Sequence, residues 1–212
     1  MTQQADALAR MERMYRPQAS VYDLTRKPYL LGRDRLLATM PLRRGDYVCE
    51  VGCGTGRNLA RLEQRDPTLR LFGLDASAAM LARARPRTRA RLARGLAEAL
   101  DPQAQFGIDR PFDRILFSYA LSMFPDWQGA LGQALTVLRP GGTLAIVDFG
   151  SQPGWPGPLK RSLRAWLGLF DVHPVDGLGD YLDGLAATDA GRVETSGFAA
   201  GYAQLAIFEK TA

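Results

Sequence analysis

Between Tyr47 and Asn58 an apolar run passes straight into Gly52-x-Gly54-x-Gly56 and then into a stretch with helical spacing that begins near Thr55. Glycines at such a turn let the main chain approach a ligand closely and adopt positive φ. Glu50 stands just before the first glycine. A second apolar run ends at Leu74-Asp75, about twenty residues past the turn, where a carboxylate can accept hydrogen bonds from ribose hydroxyls. Turns that cradle a pyrophosphate usually read Gly-x-Gly-x-x-Gly and set the phosphates on the helix start. Here the third glycine comes one residue early and a glutamate sits alongside, which suits the zwitterionic end of an amino acid better than a phosphate pair. The structural alternatives are a plain tight turn, a Glu50 that caps a helix end, and an Asp75 that N-caps a helix starting at Ser77.

Metal chemistry finds few ligands in this chain. His173 is the only histidine, there is no Cys-x-x-Cys pair, and Cys49 and Cys53 fall on one strand and its turn, poorly placed to staple distant parts of a fold. A metal-free mechanism is expected. The net charge of +5 comes almost wholly from arginine, with lysine only at positions 27, 160 and 210, so arginine-rich codon usage explains part of it and an acidic partner is weakly implied.

Those residues need a scaffold, and the 212-residue chain with 46% hydrophobic content is long enough for one well-buried domain. Strand-like runs at Tyr47–Val51, Leu69–Leu74, Arg89–Arg94, Phe112–Ser118 and Thr143–Phe149 alternate with helix-like stretches at Arg57–Gln64, Ser77–Arg85 and Gly129–Leu138. That order predicts a parallel, doubly wound α/β sheet. Near-continuous runs such as Leu144-Ala145-Ile146-Val147 fit strands buried on both faces. Arg192–Thr195 and Ala203–Glu209, joined by the Gly197–Gly201 loop, predict an antiparallel closing pair. Residues 1–44 read as a helical segment packed over one end of the sheet, closed by a turn at Pro41 and Gly45, with residues 45–212 as the main unit. Ser151–Pro158, with three prolines and two glycines, reads as a loop at the edge of the site. No apolar run is long enough to span a membrane and Met1–Arg16 is no signal peptide, so a cytoplasmic location is expected.

The turn Glu50 to Gly56 has the form Glu-x-Gly-x-Gly-x-Gly, and with it the chain resembles class I S-adenosylmethionine-dependent methyltransferases. Phe112-Asp113-Arg114-Ile115 looks like that family's fourth strand, and Val137 to Leu144 like its helix-turn-strand before strand five, so the likeness covers about residues 45 to 150. It implies a Rossmann-like sheet of seven strands. It also implies a cofactor whose methionine part lies on Gly52, Gly54 and Gly56 near Glu50, Asn58 and Ser118, with Asp75 and Ala76 at the ribose and Ala97 and Glu98 at the adenine. The family often carries an acid just before that alanine, where this chain has Leu96.

A narrower resemblance spans nearly the whole chain. Tyr22-Asp23-x-Thr25-Arg26, Leu30-x-Gly32-Arg33-Asp34-Arg35, Gly52 to Leu59, Ser118 to Met123 and Gly201 to Gln204 are similar to the bacterial diacylglyceryl-homoserine N-methyltransferases of betaine-lipid synthesis. That resemblance implies three successive methylations of a homoserine amine on a glycerolipid, S-adenosylhomocysteine as by-product, and a functional partner enzyme that makes diacylglyceryl-homoserine. Tyr15, Tyr22 and Tyr119 would face the growing ammonium by cation–π attraction, with Tyr22 and Tyr119 as catalytic candidates. Arg16, Arg26 and Arg33 would hold the homoserine carboxylate. Each attack needs a neutral amine, which a desolvated pocket provides with water or a tyrosine oxygen taking the proton, so His173 is expected to be a surface or loop residue. Trp155–Phe170 interleaves Leu159, Leu163, Trp166, Leu167 and Phe170 with Lys160, Arg161 and Arg164, a pattern that either covers the sheet as core or lies on an anionic inner-membrane surface.

Other readings remain beside it: a methyltransferase with a phosphatidylethanolamine or quinone-type acceptor, and a cofactor-binding accessory protein without turnover. A nucleic-acid methyltransferase is disfavoured because Phe117-Ser118-Tyr119-Ala120 lacks the Asn/Asp-Pro-Pro-aromatic motif. The sequence leaves the oligomeric state open.

Overall fold

The computed structural model describes residues 30–211. Helices are α1 (Arg33–Thr39), α2 (Arg57–Arg65), α3 (Ala78–Ala84), α4 (Pro102–Phe106), α5 (Trp127–Thr136), α6 (Gly157–Gly168) and α7 (Leu178–Ala187). Strands are β1 (Tyr47–Val51), β2 (Arg70–Asp75), β3 (Arg91–Arg94), β4 (Phe112–Ser118), β5 (Leu138–Phe149), β6 (Gly191–Phe198) and β7 (Ala203–Lys210). They form one sheet in the order β3-β2-β1-β4-β5-β7-β6, parallel from β3 to β5 and antiparallel for β7 and β6. The doubly wound, Rossmann-like sheet expected from the sequence is therefore present, including its antiparallel closing pair.

Alternation along β5 sends Ala145, Val147 and Phe149 into one apolar layer and Leu144 and Ile146 into the other. Leu59 and Leu62 of α2 fill the first layer, and Ala130, Leu131 and Ala134 of α5 the second. Burying a leucine such as Leu59 fully contributes about 1.5–3 kcal/mol. Helices α2 and α5 cover opposite faces because the strand order turns back at β1, running to β2 and β3 on one side and to β4 and β5 on the other. That opens a crevice over the carboxyl ends of β1 and β4, the place where ligands sit in open α/β sheets.

Local chemistry sets the boundaries. Ser77 accepts from the Met80 amide and so caps α3. Asp101 accepts from Gln103 and Ala104 ahead of α4. Asp126 accepts from Gly129, which starts α5 at Trp127, two residues before the apolar pattern begins. β5 starts at Leu138, earlier than the sequence pattern indicates: Arg139 to Gly142 form an irregularity in the pairing, where Phe112 faces Leu138 but Arg114 already faces Thr143. The helices α4 and α7 and the short 3₁₀ turns Ala97–Ala99 and Leu121–Met123 are additions to the sequence reading, while α6 falls within the amphipathic stretch read over Trp155–Phe170.

At the opposite rim, Asp113 opens β4 and ties its neighbours. Its carboxylate accepts from the Tyr47 amide at 2.9 Å and pairs with Arg110 and Arg139. Although burial alone would raise it, the Tyr47 amide and Arg139 hold the Asp113 carboxyl below its ordinary range. Beside it the buried pair Arg114–Asp46, at 3.3 Å, is completed by the Pro41 carbonyl. The Phe112-Asp113-Arg114-Ile115 motif is thus a fastening for the sheet, on the side away from the crevice.

Candidate functional site

At the crevice, β1 delivers Glu50 and then the glycine turn. The Gly52 and Cys53 amides both donate to the Leu74 carbonyl, at 2.8 and 3.0 Å, which locks the turn to the end of β2. Gly52, Gly54 and Gly56 all have positive φ. They differ in surroundings. A Cβ on Gly52 would lie 2.6 Å from the Cβ of Ala120 and one on Gly56 3.0 Å from that of Ala84, whereas one on Gly54 would meet nothing within 4 Å. Only Gly54 therefore exposes bare main chain to open space.

Asp75 ends β2 and braces this turn. Its carboxylate accepts from the Gly54 amide at 2.7 Å and from the Ser77 amide at 2.9 Å. Ser77, not Asp75, is the N-cap of α3. The Gly95 amide donates to the Asp75 carbonyl, and Arg94 Nε donates to the Ala76 carbonyl. The 3₁₀ turn with Ala97 and Glu98 follows directly, so the expected ribose and adenine residues converge on one edge of the crevice.

Glu50 is 2% exposed. Oε1 accepts from Asn58 Nδ2 at 2.7 Å, while Oε2 is buried with no hydrogen-bond partner among the described residues. Burial pushes its carboxyl up to about 8 and Asp75 adds to this, against the lowering effects of Asn58, Arg33 and Arg57. Ser118, at the tip of β4, holds a second buried oxygen without a partner among the described residues. A buried carboxylate oxygen left unpaired in this way fits a cationic donor group better than a neutral one.

Tyr119 follows Ser118 with φ of 54°, and its ring packs edge-on against Phe149 at 4.8 Å. Its hydroxyl donates to the Leu31 carbonyl, and burial holds the phenol far above its ordinary range. That hydroxyl therefore pins the incoming chain at the strand tip. Gly32, at φ of +84°, seats against Leu205 and Val147, and Arg33 then starts α1 close enough to both Glu50 and Tyr119 to act on their charge. Tyr15, Arg16, Tyr22 and Arg26 lie outside the described residues. His173 carries an exposed ring beside Asp171, as expected of a loop residue, and its amide donates to the Ser122 carbonyl at 2.7 Å. Among the described residues no cluster of three or more His, Cys, Asp or Glu side chains forms a metal-ligand set.

Asp148 was read from the sequence only as part of the Thr143–Phe149 strand. It is fully buried near the end of β5, where it accepts from the Ser122 amide at 3.1 Å and the Phe149 amide at 2.8 Å. Burial raises its carboxyl to about 6, opposed by those hydrogen bonds. The signal was a lone acid closing the apolar run Leu144 to Val147. It fixes the turn after Tyr119 and so shapes the floor of the crevice.

Residues 48–142 match the family model for the methyltransferase domain. A trans-aconitate 2-methyltransferase of Escherichia coli O157:H7 is 34% identical over 114 residues, which cover 52% of this chain and 42% of that protein. The Deinococcus radiodurans protein of the same name is 40% identical over 111 residues, covering 52% and 41%. The chain thus spans less than half the length of both relatives. Among solved structures, the complex between the Haloferax volcanii Trm112 methyltransferase activator and its methyltransferase superposes with a TM-score of 0.76 at 18% identity, covering 95% of this chain and 98% of that one, which shows a shared fold.

Proposed function

We propose that this chain, which carries a methyltransferase domain over residues 48–142, is an S-adenosylmethionine-dependent N-methyltransferase whose acceptor is the homoserine amine of diacylglyceryl-homoserine, a glycerolipid head group. The observation that carries the donor is the unpartnered, buried Oε2 of Glu50 beside the open main chain at Gly54. Glu50 is the counter-charge for an amino-acid ammonium, Gly54 leaves room for its backbone-like end, and Asp75 faces the sugar. Ala97 and Glu98 border the base. When bound, S-adenosylmethionine supplies an electrophilic methyl group on sulfur, and S-adenosylhomocysteine is what remains.

The chain's own contribution is alignment and desolvation. Tyr119 cannot serve as a base while its phenol is held so high and its proton is engaged by Leu31, so its part is to fix residues 31–33 over the crevice and present an aromatic face. The acceptor amine loses its proton to water as it enters a pocket that disfavours the ammonium. Arg33, with Arg16 and Arg26 from the preceding segment, is the candidate partner for the homoserine carboxylate, and Tyr15 and Tyr22 for the methylated nitrogen. Support for this acceptor is the set of elements from Tyr22 to Arg35 and from Gly201 to Gln204, all outside the 48–142 match.

A second reading, a small carboxylic acid as acceptor, is favoured by the identity to the two trans-aconitate methyltransferases. Transfer of radiolabelled methyl groups to a total lipid extract and, separately, to trans-aconitate distinguishes them. Label in a lipid with the mobility of a trimethylated homoserine head group is the expected result. Label only in the small acid removes the lipid acceptor, and label in neither removes turnover.

A further inference from the structure

Helix α6 divides the apolar residues of its sequence between two faces. Leu163 and Phe170 pack on the first core layer and Leu167 is buried in it, so this half of the pattern is core. Leu159 and Leu169 point outward, 53% and 78% exposed, with Trp166 between them at 38%. Three of the four large exposed hydrophobic side chains among the described residues therefore fall on α6 and the residue after it.

The helix itself carries charge of one sign, with Asp171 and Asp176 beyond its end. Residues 157 to 168 contain no acid. Arg164 is neutralised by a two-pronged pair with Asp176, at 2.7 and 2.8 Å, while Lys160 and Arg161 have no ion pair among the described residues. Both ends of the helix are anchored at the crevice side of the sheet. Before α6, the Trp155 ring stacks on Tyr202, which packs on Phe149 and through it on Tyr119. After α6, the His173 amide is held by Ser122. The strip accordingly lies at the rim where the acceptor must enter.

We propose that α6 is the membrane-docking element of this protein: Leu159, Trp166 and Leu169 enter the headgroup boundary of an anionic phospholipid leaflet while Lys160 and Arg161 meet its phosphates. The occupant is a lipid surface because an apolar strip edged by unpaired cations matches an apolar layer edged by anions. The inference rests on the lipid acceptor proposed above, and it places the crevice mouth against the bilayer so that a head group can enter without extraction of its acyl chains.

The test is co-sedimentation with phosphatidylglycerol–phosphatidylcholine vesicles at low and high salt, against pure phosphatidylcholine. Binding is expected to anionic vesicles at low salt and to fade as salt screens the charges. L159E/L169E and K160E/R161E should each weaken it at least about tenfold. Calorimetric titration with S-adenosylmethionine, unchanged in both variants, confirms that they fold and separates failure of the surface from failure of the cofactor reading. No sedimentation of the wild type, or sedimentation of both variants equal to it, overturns the proposal. So does a concentration-dependent dimer that L159E/L169E abolishes without any vesicle binding, which would assign the strip to a second copy of the chain.

Discussion

Glu50→Gln isolates the electrostatics of the crevice in one nearly isosteric change. Gln keeps an oxygen for the Asn58 amide, and its new NH₂ takes the place of Oε2, which has no hydrogen-bond partner to lose among the described residues. In the wild type the carboxyl rises from 4.5 to about 8, so holding it ionised in the unliganded fold costs roughly 5 kcal/mol. The sign follows from linkage: the raised folded value means a stabilising contribution that is complete below the unfolded pKa near 4.5 and is lost as pH climbs through about 8. Relative to the variant, the wild type should therefore lose about 1.4 kcal/mol per pH unit across that window and level off above it. Denaturant unfolding of both proteins without cofactor, at half-unit steps through the window, measures this difference directly. With S-adenosylmethionine present the advantage should reverse, because the cofactor ammonium loses its counter-charge; affinity falls roughly 10- to 100-fold, from the 1.5–3 kcal/mol of a charge-assisted hydrogen bond. Calorimetry of the wild type near pH 6.5 in buffers of different ionisation enthalpy should show release of close to one proton, as Glu50 ionises on binding. A gap between the two proteins that stays constant with pH, together with equal affinities, would refute the reasoning.

The glycines of the turn should separate by phenotype: Gly52→Ala forces a Cβ to 2.6 Å from Ala120 and should cost at least 1–3 kcal/mol of stability in thermal melts, whereas Gly54→Ala should cost about 1 kcal/mol in backbone strain but weaken cofactor binding far more than that. Asp148→Asn should flatten the wild-type loss of stability between pH 4 and 6, worth roughly 3 kcal/mol, and should cost a further 1–3 kcal/mol above it, since an amide cannot accept from both the Ser122 and Phe149 N–H groups through two oxygens; melting curves across that range decide. Tyr22→Ala and Arg26→Ala should bind S-adenosylmethionine as the wild type does and lose lipid methylation by at least about tenfold, as expected when a cation–π face or a charge-assisted contact is removed; full activity in both would remove these residues from the acceptor site.

Strands β1, β2 and β5 were legible because each is an apolar run closed by a glycine or an acid, β3 only by its place in the order, and the crevice because Glu50, the glycine turn and Asp75 sit at fixed spacing on two such strands. What the spacing hid was inequality among similar residues: three glycines with the same φ sign, of which one opens to space and two are wedged against Ala120 and Ala84. Helix α7 escaped because its N-cap, Gly177, is a left-handed glycine that offers no side-chain cap, leaving no Ser, Thr, Asp or Asn start signal in the sequence. Asp148 lay inside the strand read over Thr143–Phe149, but its role escaped because its partner, the Ser122 amide, is 26 residues away and only the fold brings the two together. In α6 the sequence showed amphipathic spacing but not how many sides it had, since Leu163 and Leu167 turn inward while Leu159 and Leu169 turn out. Tyr119 was singled out for its aromatic ring, and the role of its hydroxyl emerged only with the position of Leu31.

The Asp113 carboxylate has a mechanical meaning. By joining the starts of β1, β4 and β5, with Arg114 and Asp46 stacked beside it, it clamps the strands at the end far from the ligands, much as a binding holds the pages of a book. Traffic through the open edge then needs only the connecting loops to yield, and the spacing of Glu50 from Ser118 survives each passage because the strands that carry them are held from behind.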